Sequence, residues 1–119
     1  MSYLVILGGN EMACPALQRM KDAGHSLLVV DGNAESPGKR LADVFLHVNF
    51  SDQAATEAAL APYPLAGIMP INDFGVRTAA HIARLRCLPG NNTATAIALT
   101  NKADMRRRWA DAGLLQPRF

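Results

Sequence analysis

Four short runs, apolar on successive residues, set the terms on which this chain folds: YLVIL (Tyr3–Leu7), LLVV (Leu27–Val30), VFLHV (Val44–Val48) and AGIMPI (Ala66–Ile71). A strand with one wet face alternates apolar and polar residues, whereas a strand covered on both faces has no such need. The runs therefore predict strands buried on both sides, as in a parallel sheet. Helical patterns lie between them. Ala13, Leu17 and Met20 fall at i, i+4, i+7, with Gly24 as the residue that closes the helix. Ser51 or Asp52 can cap an alanine-rich helix to about Leu60, ended by Pro62 and Pro64. Val76, Ala79, Ala80 and Ala83 line a third helix after Asp73. Strands alternating with helices at this spacing predict βαβ units: an open α/β parallel sheet of four to five strands with helices on both faces.

The C-terminal third is different. CLPGNN (Cys87–Asn92) is turn chemistry, with room for a very short fifth strand before it. ATAIAL predicts a short helix. Thr100 or Asn101 then caps another, whose Met105, Trp109 and Ala112 read as a core face and which Gly113 closes. LLQPRF (Leu114–Phe119) reads as extended, because the residue before Pro117 avoids the helical region. Apolar chain of that kind heads toward another strand, so a continuation beyond Phe119 is expected.

Composition narrows the partners. The chain has 119 residues, half of them hydrophobic, which is enough for one compact core. Its net charge of +2 gives no nucleic-acid surface, and Arg106–Arg108 reads as the wet face of a helix. Cys14 and Cys87 lie far apart without histidines at ligand spacing, so reduced thiols are expected and no zinc site can be argued. Gly8 and Gly9 interrupt the first apolar run well short of a signal sequence or membrane span, and a cytoplasmic chain is expected. His47 reads as a core or interface histidine.

Three places could carry chemistry. Gly8-Gly9-Asn10-Glu11 ends the first strand, where backbone N–H groups can hold an anion. The spacing G-G-N-E-M-A departs from the dinucleotide fingerprint, although Asp31 stands where a ribose-binding acid would. A tight turn without ligand, a small-substrate loop and a dinucleotide cradle all stay open. Asn72 and Asp73 end the fourth strand; Asp73 can cap the next helix and leave the side chain of Asn72 free. Lys102 lies in the first turn of a helix, where the macrodipole disfavours a cation, so it is either a solvated lysine or a phosphate contact.

Taken together, VILGGN, AGHSLLVVDGNAESPGKRLAD, PINDFGVRTAAHIARLRCLPGNN and TNKADMRRRWADAGLLQPRF resemble the N-terminal, pre-ATP-grasp domain of ATP-grasp ligases. The pattern is most similar to L-amino acid ligases and to members like the carbamoyl-phosphate synthetase large subunit. The resemblance implies a Rossmann-like domain over 1–99 and, over 100–119, a helix and linker leading to an ATP-grasp domain of the same chain. It implies ATP and magnesium as cofactors of the full-length parent. A carboxylate would be activated as an acylphosphate and an amine would displace the phosphate. Gly8, Gly9, Asn10, Glu11, Asn72 and Asp73 match positions that face the acceptor substrate, and Lys102 matches a lysine or arginine that contacts ATP. Asn101 replaces the commoner aspartate, and Asn72-Asp73 lacks the Pro-x-x-Glu form of some members. The segment alone is expected to be non-catalytic, and a homodimer is compatible with it. The alternatives are a stand-alone dinucleotide-binding or regulatory module, or a purely structural domain that packs against partners.

Overall fold

A computed structural model describes residues 1–114; the extended course expected for Leu115–Phe119 lies outside the described residues. The four apolar runs form β1 Tyr3–Leu7, β2 Ser26–Asp31, β3 Val44–His47 and β4 Leu65–Pro70. They pair in parallel in the order β3-β2-β1-β4. The central strands explain the unbroken apolar pattern. Val5, Leu7, Leu28 and Val30 pack on one face with Leu60, Ala79 and Ile82 of α2 (Gln53–Leu60) and α3 (Val76–Leu85). Ile6, Leu27 and Val29 pack on the other with Leu17 of α1 (Cys14–Asp22) and with Ala13 just before it. Burying each large aliphatic side chain contributes roughly 1.5–3 kcal/mol. The edge strands β3 and β4 keep partial exposure.

Small residues let α3 serve two neighbours. Thr78, Ala79, Ala80, Ile82 and Ala83 are buried along it, and α4 (Thr93–Thr100) packs on it with Ala96 and Ala98 buried. The last helix, α5 (Lys102–Asp111), packs on α4 and has no buried residue. The core face expected for Met105 and Trp109 is therefore not formed among the described residues: Met105 is half-buried and Trp109 is 37% exposed. His47 also departs from expectation. It ends an edge strand, exposed, with its Nε2 3.0 Å from the carbonyl of Gly32.

The fifth strand is absent among the described residues, and the reason is local. Cys87 adopts φ +55°, its amide donates to Arg84 O, and Leu88 N donates to Ala83 O at 2.8 Å. That pair of bonds is a Schellman closure, which uses the amides to satisfy the end of α3 instead of a neighbouring strand. Helices α1 and α5 close in the same way, with Gly24 (φ +94°) and Gly113 (φ +76°) in the left-handed position. Only at α3 does a side chain occupy that position. Cys87→Gly is accordingly expected to stabilise the chain by about 0.5–1 kcal/mol, because the left-handed strain is relieved at a modest entropic cost. Urea denaturation checks this; a midpoint that falls would mean the cysteine side chain makes compensating contacts.

Candidate functional site

The strand order fixes where a ligand can sit. From β1 the chain moves outward through β2 to β3, then returns to the opposite side of β1 for β4. The loops leaving β1 and β4 therefore diverge at the carboxyl rim and leave a crevice between them, the position where open α/β sheets bind ligands. The sequence places Gly8–Glu11 on one wall and Ile71–Asp73 on the other, and the two are in contact. Ile71 N donates to Leu7 O at 3.0 Å. A Cβ built on Gly8 would lie 3.5 Å from Ile71 Cβ and 3.6 Å from the ring of Phe50. Gly8 holds φ +107°, which only glycine adopts without strain.

The first wall is braced from beneath. Gly8 N donates to Val30 O at 2.8 Å, and Gly9 N donates to Asp31 Oδ2 at 2.8 Å. Gly9 O accepts from Gly38 N at 2.7 Å and from the hydroxyl of buried Ser36 at 2.8 Å. Ser36 Oγ also lies 2.9 Å from Asp31 Oδ2, while Asp31 Oδ1 accepts from Asn33 N at 2.9 Å. Asp31, expected as a strand-end acid without an assured partner, is thus committed to the turn. Asn10 caps the short turn Glu11–Ala13, its Oδ1 accepting from Ala13 N at 2.9 Å. The carboxylate of Glu11 is exposed and has no hydrogen bond or ion pair to another described residue.

On the second wall the capping roles are reversed from expectation. Asn72, not Asp73, is the cap: its Oδ1 accepts from Phe74 N at 3.0 Å. Asn72 has an extended backbone at the start of the turn, which aims its side chain at that amide. Its oxygen is therefore occupied, and Asp73 is left with an exposed carboxylate that pairs with no described residue. Beyond it lies an open cleft of about 380 Å³ lined by Ser51, Asp73, exposed Phe74, Arg77 and Thr100. Arg77 Nε donates to Thr100 Oγ1 at 2.6 Å and ties α3 to the end of α4.

Lys102 opens α5 two residues past Thr100, so its backbone leaves from the corner of this cleft. Asn101 caps the helix, its Oδ1 accepting from Asp104 N at 3.1 Å, and so replaces an aspartate without loss of the cap. Asp104 pairs with Arg107. Lys102 itself is exposed and pairs with no described residue. Its charge adds to the positive end of the helix. The residues that sequence reading passed over are Ser36, Gly38, Phe50 and Arg77. Ser-Pro-Gly at Ser36–Gly38 was a visible turn signal, but nothing in it named Gly9 as its partner.

The fold and its rim define a class: a parallel α/β domain of the Rossmann-like kind, with its polar loops gathered at the switch point. Solved structures that share this fold include ligases of the ATP-grasp family. The phosphoribosylglycinamide synthetase of Anaerococcus prevotii matches with a TM-score of 0.82 at 24% identity, covering 92% of this chain and 28% of that one. The L-amino acid ligase of Bacillus licheniformis matches at 0.82 and 18% identity, covering 98% of this chain and 32% of its own. The N5-carboxyaminoimidazole ribonucleotide synthetase of Thermotoga maritima matches at 0.80 and 18%, covering 99% and 32%. At these identities the likeness establishes the fold, and the chain spans about a third of each neighbour's length. No protein-family model matches the sequence, and no curated protein does. Among the described residues, no helix is long and apolar enough to cross a membrane.

Proposed function

We propose that this chain is the acceptor-facing domain of an ATP-dependent carboxylate–amine ligase. The observation that carries the reading is the shared fold over more than nine-tenths of the chain, combined with the meeting of both acceptor loops at the switch point. In the parent reaction, a carboxylate oxygen attacks the γ-phosphorus of ATP and ADP leaves, giving an acylphosphate. The amine nitrogen then attacks the acyl carbon, the C–O bond to phosphate breaks, and the nitrogen loses a proton. Gly8–Glu11 and Asn72–Asp73 hold the acceptor in this scheme. The exposed carboxylates of Glu11 and Asp73 attract an ammonium group, while the capping roles of Asn10 and Asn72 keep the loops in shape. Lys102 meets the nucleotide where the chain passes to the catalytic domain. Among the described residues there is no group of three or more His, Cys, Asp or Glu suited to a metal ion.

The test is ADP release by the full-length protein, supplied with ATP, magnesium and panels of carboxylates and amines. Release that requires both co-substrates supports the reading. ADP formation that ignores both, or micromolar NAD binding by the 119-residue chain, counts against it. Within the full-length protein, Lys102→Ala is expected to raise the KM for ATP about tenfold, since a charge-assisted contact contributes roughly 1.5–3 kcal/mol. Unchanged nucleotide kinetics would remove Lys102 from the site.

A further inference from the structure

We propose that Asp31 is a built-in anion that fills the anion seat of the glycine turn and makes the turn reject phosphate groups. The inference rests on the turn itself and holds whether or not the chain serves a ligase. A glycine turn at the end of a first strand can bind phosphate through its backbone N–H groups. Here the amide of Gly9 already donates to Asp31 Oδ2 at 2.8 Å. The same carboxylate receives Asn33 N–H at 2.9 Å and faces the Ser36 hydroxyl at 2.9 Å. Two amides converge on it, joined by the Ser36 hydroxyl when its single proton turns from Gly9 O to Asp31 Oδ2, and a bound oxyanion would otherwise command these donors.

The inner side of the seat is closed as well. At Gly9 a Cβ would stand 2.7 Å from Ser36 Oγ, 3.0 Å from Val29 Cγ1 and 3.2 Å from Gly38 Cα. No space remains beneath the turn for a second oxyanion. Approached from outside, a phosphate would meet the full charge of Asp31 at hydrogen-bond range of the same amide. No lysine or arginine among the described residues forms an ion pair with Asp31, and the nearby Arg40 faces the cleft that Glu11 lines. The group that meets Gly8–Asn10 is therefore neutral or cationic rather than a phosphate.

The experiment uses amide-resolved NMR on the chain, with sodium pyrophosphate as the probe and sodium chloride matching ionic strength. In the wild type the Gly9 amide resonance is expected to stay fixed up to millimolar pyrophosphate. In Asp31→Ala the vacated donors should bind pyrophosphate at least tenfold more tightly than the wild type. Formate, which replaces the deleted carboxylate, should raise the Tm of Asp31→Ala by roughly 3–5 °C at saturation and leave the wild type unmoved. Should Asp31→Ala fail to fold, Asp31→Ser removes the charge and is too short to reach the Gly9 amide, and is expected to bind pyrophosphate in the same way. A wild-type Gly9 amide that responds to submillimolar pyrophosphate overturns the proposal whatever the variants do. So does a folded variant that gains neither formate-dependent stability nor pyrophosphate binding.

Discussion

Gly38→Ala is expected to destabilise the chain by about 3 kcal/mol, a large cost for one added methyl group. The Cβ would lie 2.8 Å from Gly9 Cα, 3.0 Å from Gly9 O and 3.0 Å from Leu17 Cδ1. Two of those atoms are backbone and cannot turn aside by changing rotamer. The same glycine donates its amide to Gly9 O at 2.7 Å, so pushing the segments apart also breaks the bond that closes them. Gly24→Ala provides the comparison. Gly24 has φ +94° and nothing within 4 Å of the added carbon, so its cost of about 1–2 kcal/mol is backbone strain alone. Urea midpoints measured side by side separate the two effects. If Gly38→Ala were no worse than Gly24→Ala, the contact between Gly9 and Gly38 would be looser than described.

The contrast between those glycines also shows what a sequence discloses. Gly24 follows a helical pattern and was legible as its closing residue, because the Schellman geometry is local. A cap at Ser51 or Asp52 was legible for the same reason, and it is Asp52 whose Oδ1 accepts from Ala55 N, three residues on. The strands were legible because covering both faces of β1 and β2 leaves an unbroken apolar record. What could not be read were the partnerships across the fold. Asp31 lies 22 residues from Gly9 and Ser36 lies 27 from it. At such separations, pairing depends on where the connection from β2 to β3 is laid, which the local pattern does not record. Asp31 therefore read only as a strand-end acid, placed where a ribose-binding acid would be and with no partner named. Asn72 and Asp73 both suit an N-cap, and only the extended backbone of Asn72 decides between them. Trp109 follows helical spacing, yet among the described residues α5 contacts only α4 closely, so a periodic face did not become a buried one.

Phe50 is the residue through which the site and the core act on each other, and Phe50→Ala is expected to cost about 2–3 kcal/mol. It lies just beyond β3 at one edge of the sheet, yet its ring reaches the crevice between β1 and β4. Its Cζ is 3.6 Å from the position a Cβ would take on Gly8, and its Cδ1 is 3.3 Å from the same position on Gly75. The ring thus packs beneath both loops while it also joins the core on the α2–α3 side. Because it is half-buried, its removal should cost less than the full deletion of an enclosed phenylalanine. The more specific consequence concerns the loops. Gly8 N bonds to Val30 O and Ile71 N bonds to Leu7 O, so the one peptide unit between Leu7 and Gly8 carries both bonds, and the ring packs against Gly8. Amide exchange at Gly8 and Ile71 should therefore accelerate beyond what the global loss of stability dictates, whereas amides within β1 should follow the global change. Phe50→Leu, which refills part of the volume, should recover a good part of both effects. If the variant lost stability while Gly8 and Ile71 exchanged in step with β1, the ring would be core packing alone. The two walls of the crevice would then owe their spacing to Gly75, whose Cβ would come within 3.2 Å of Leu7 and Pro70.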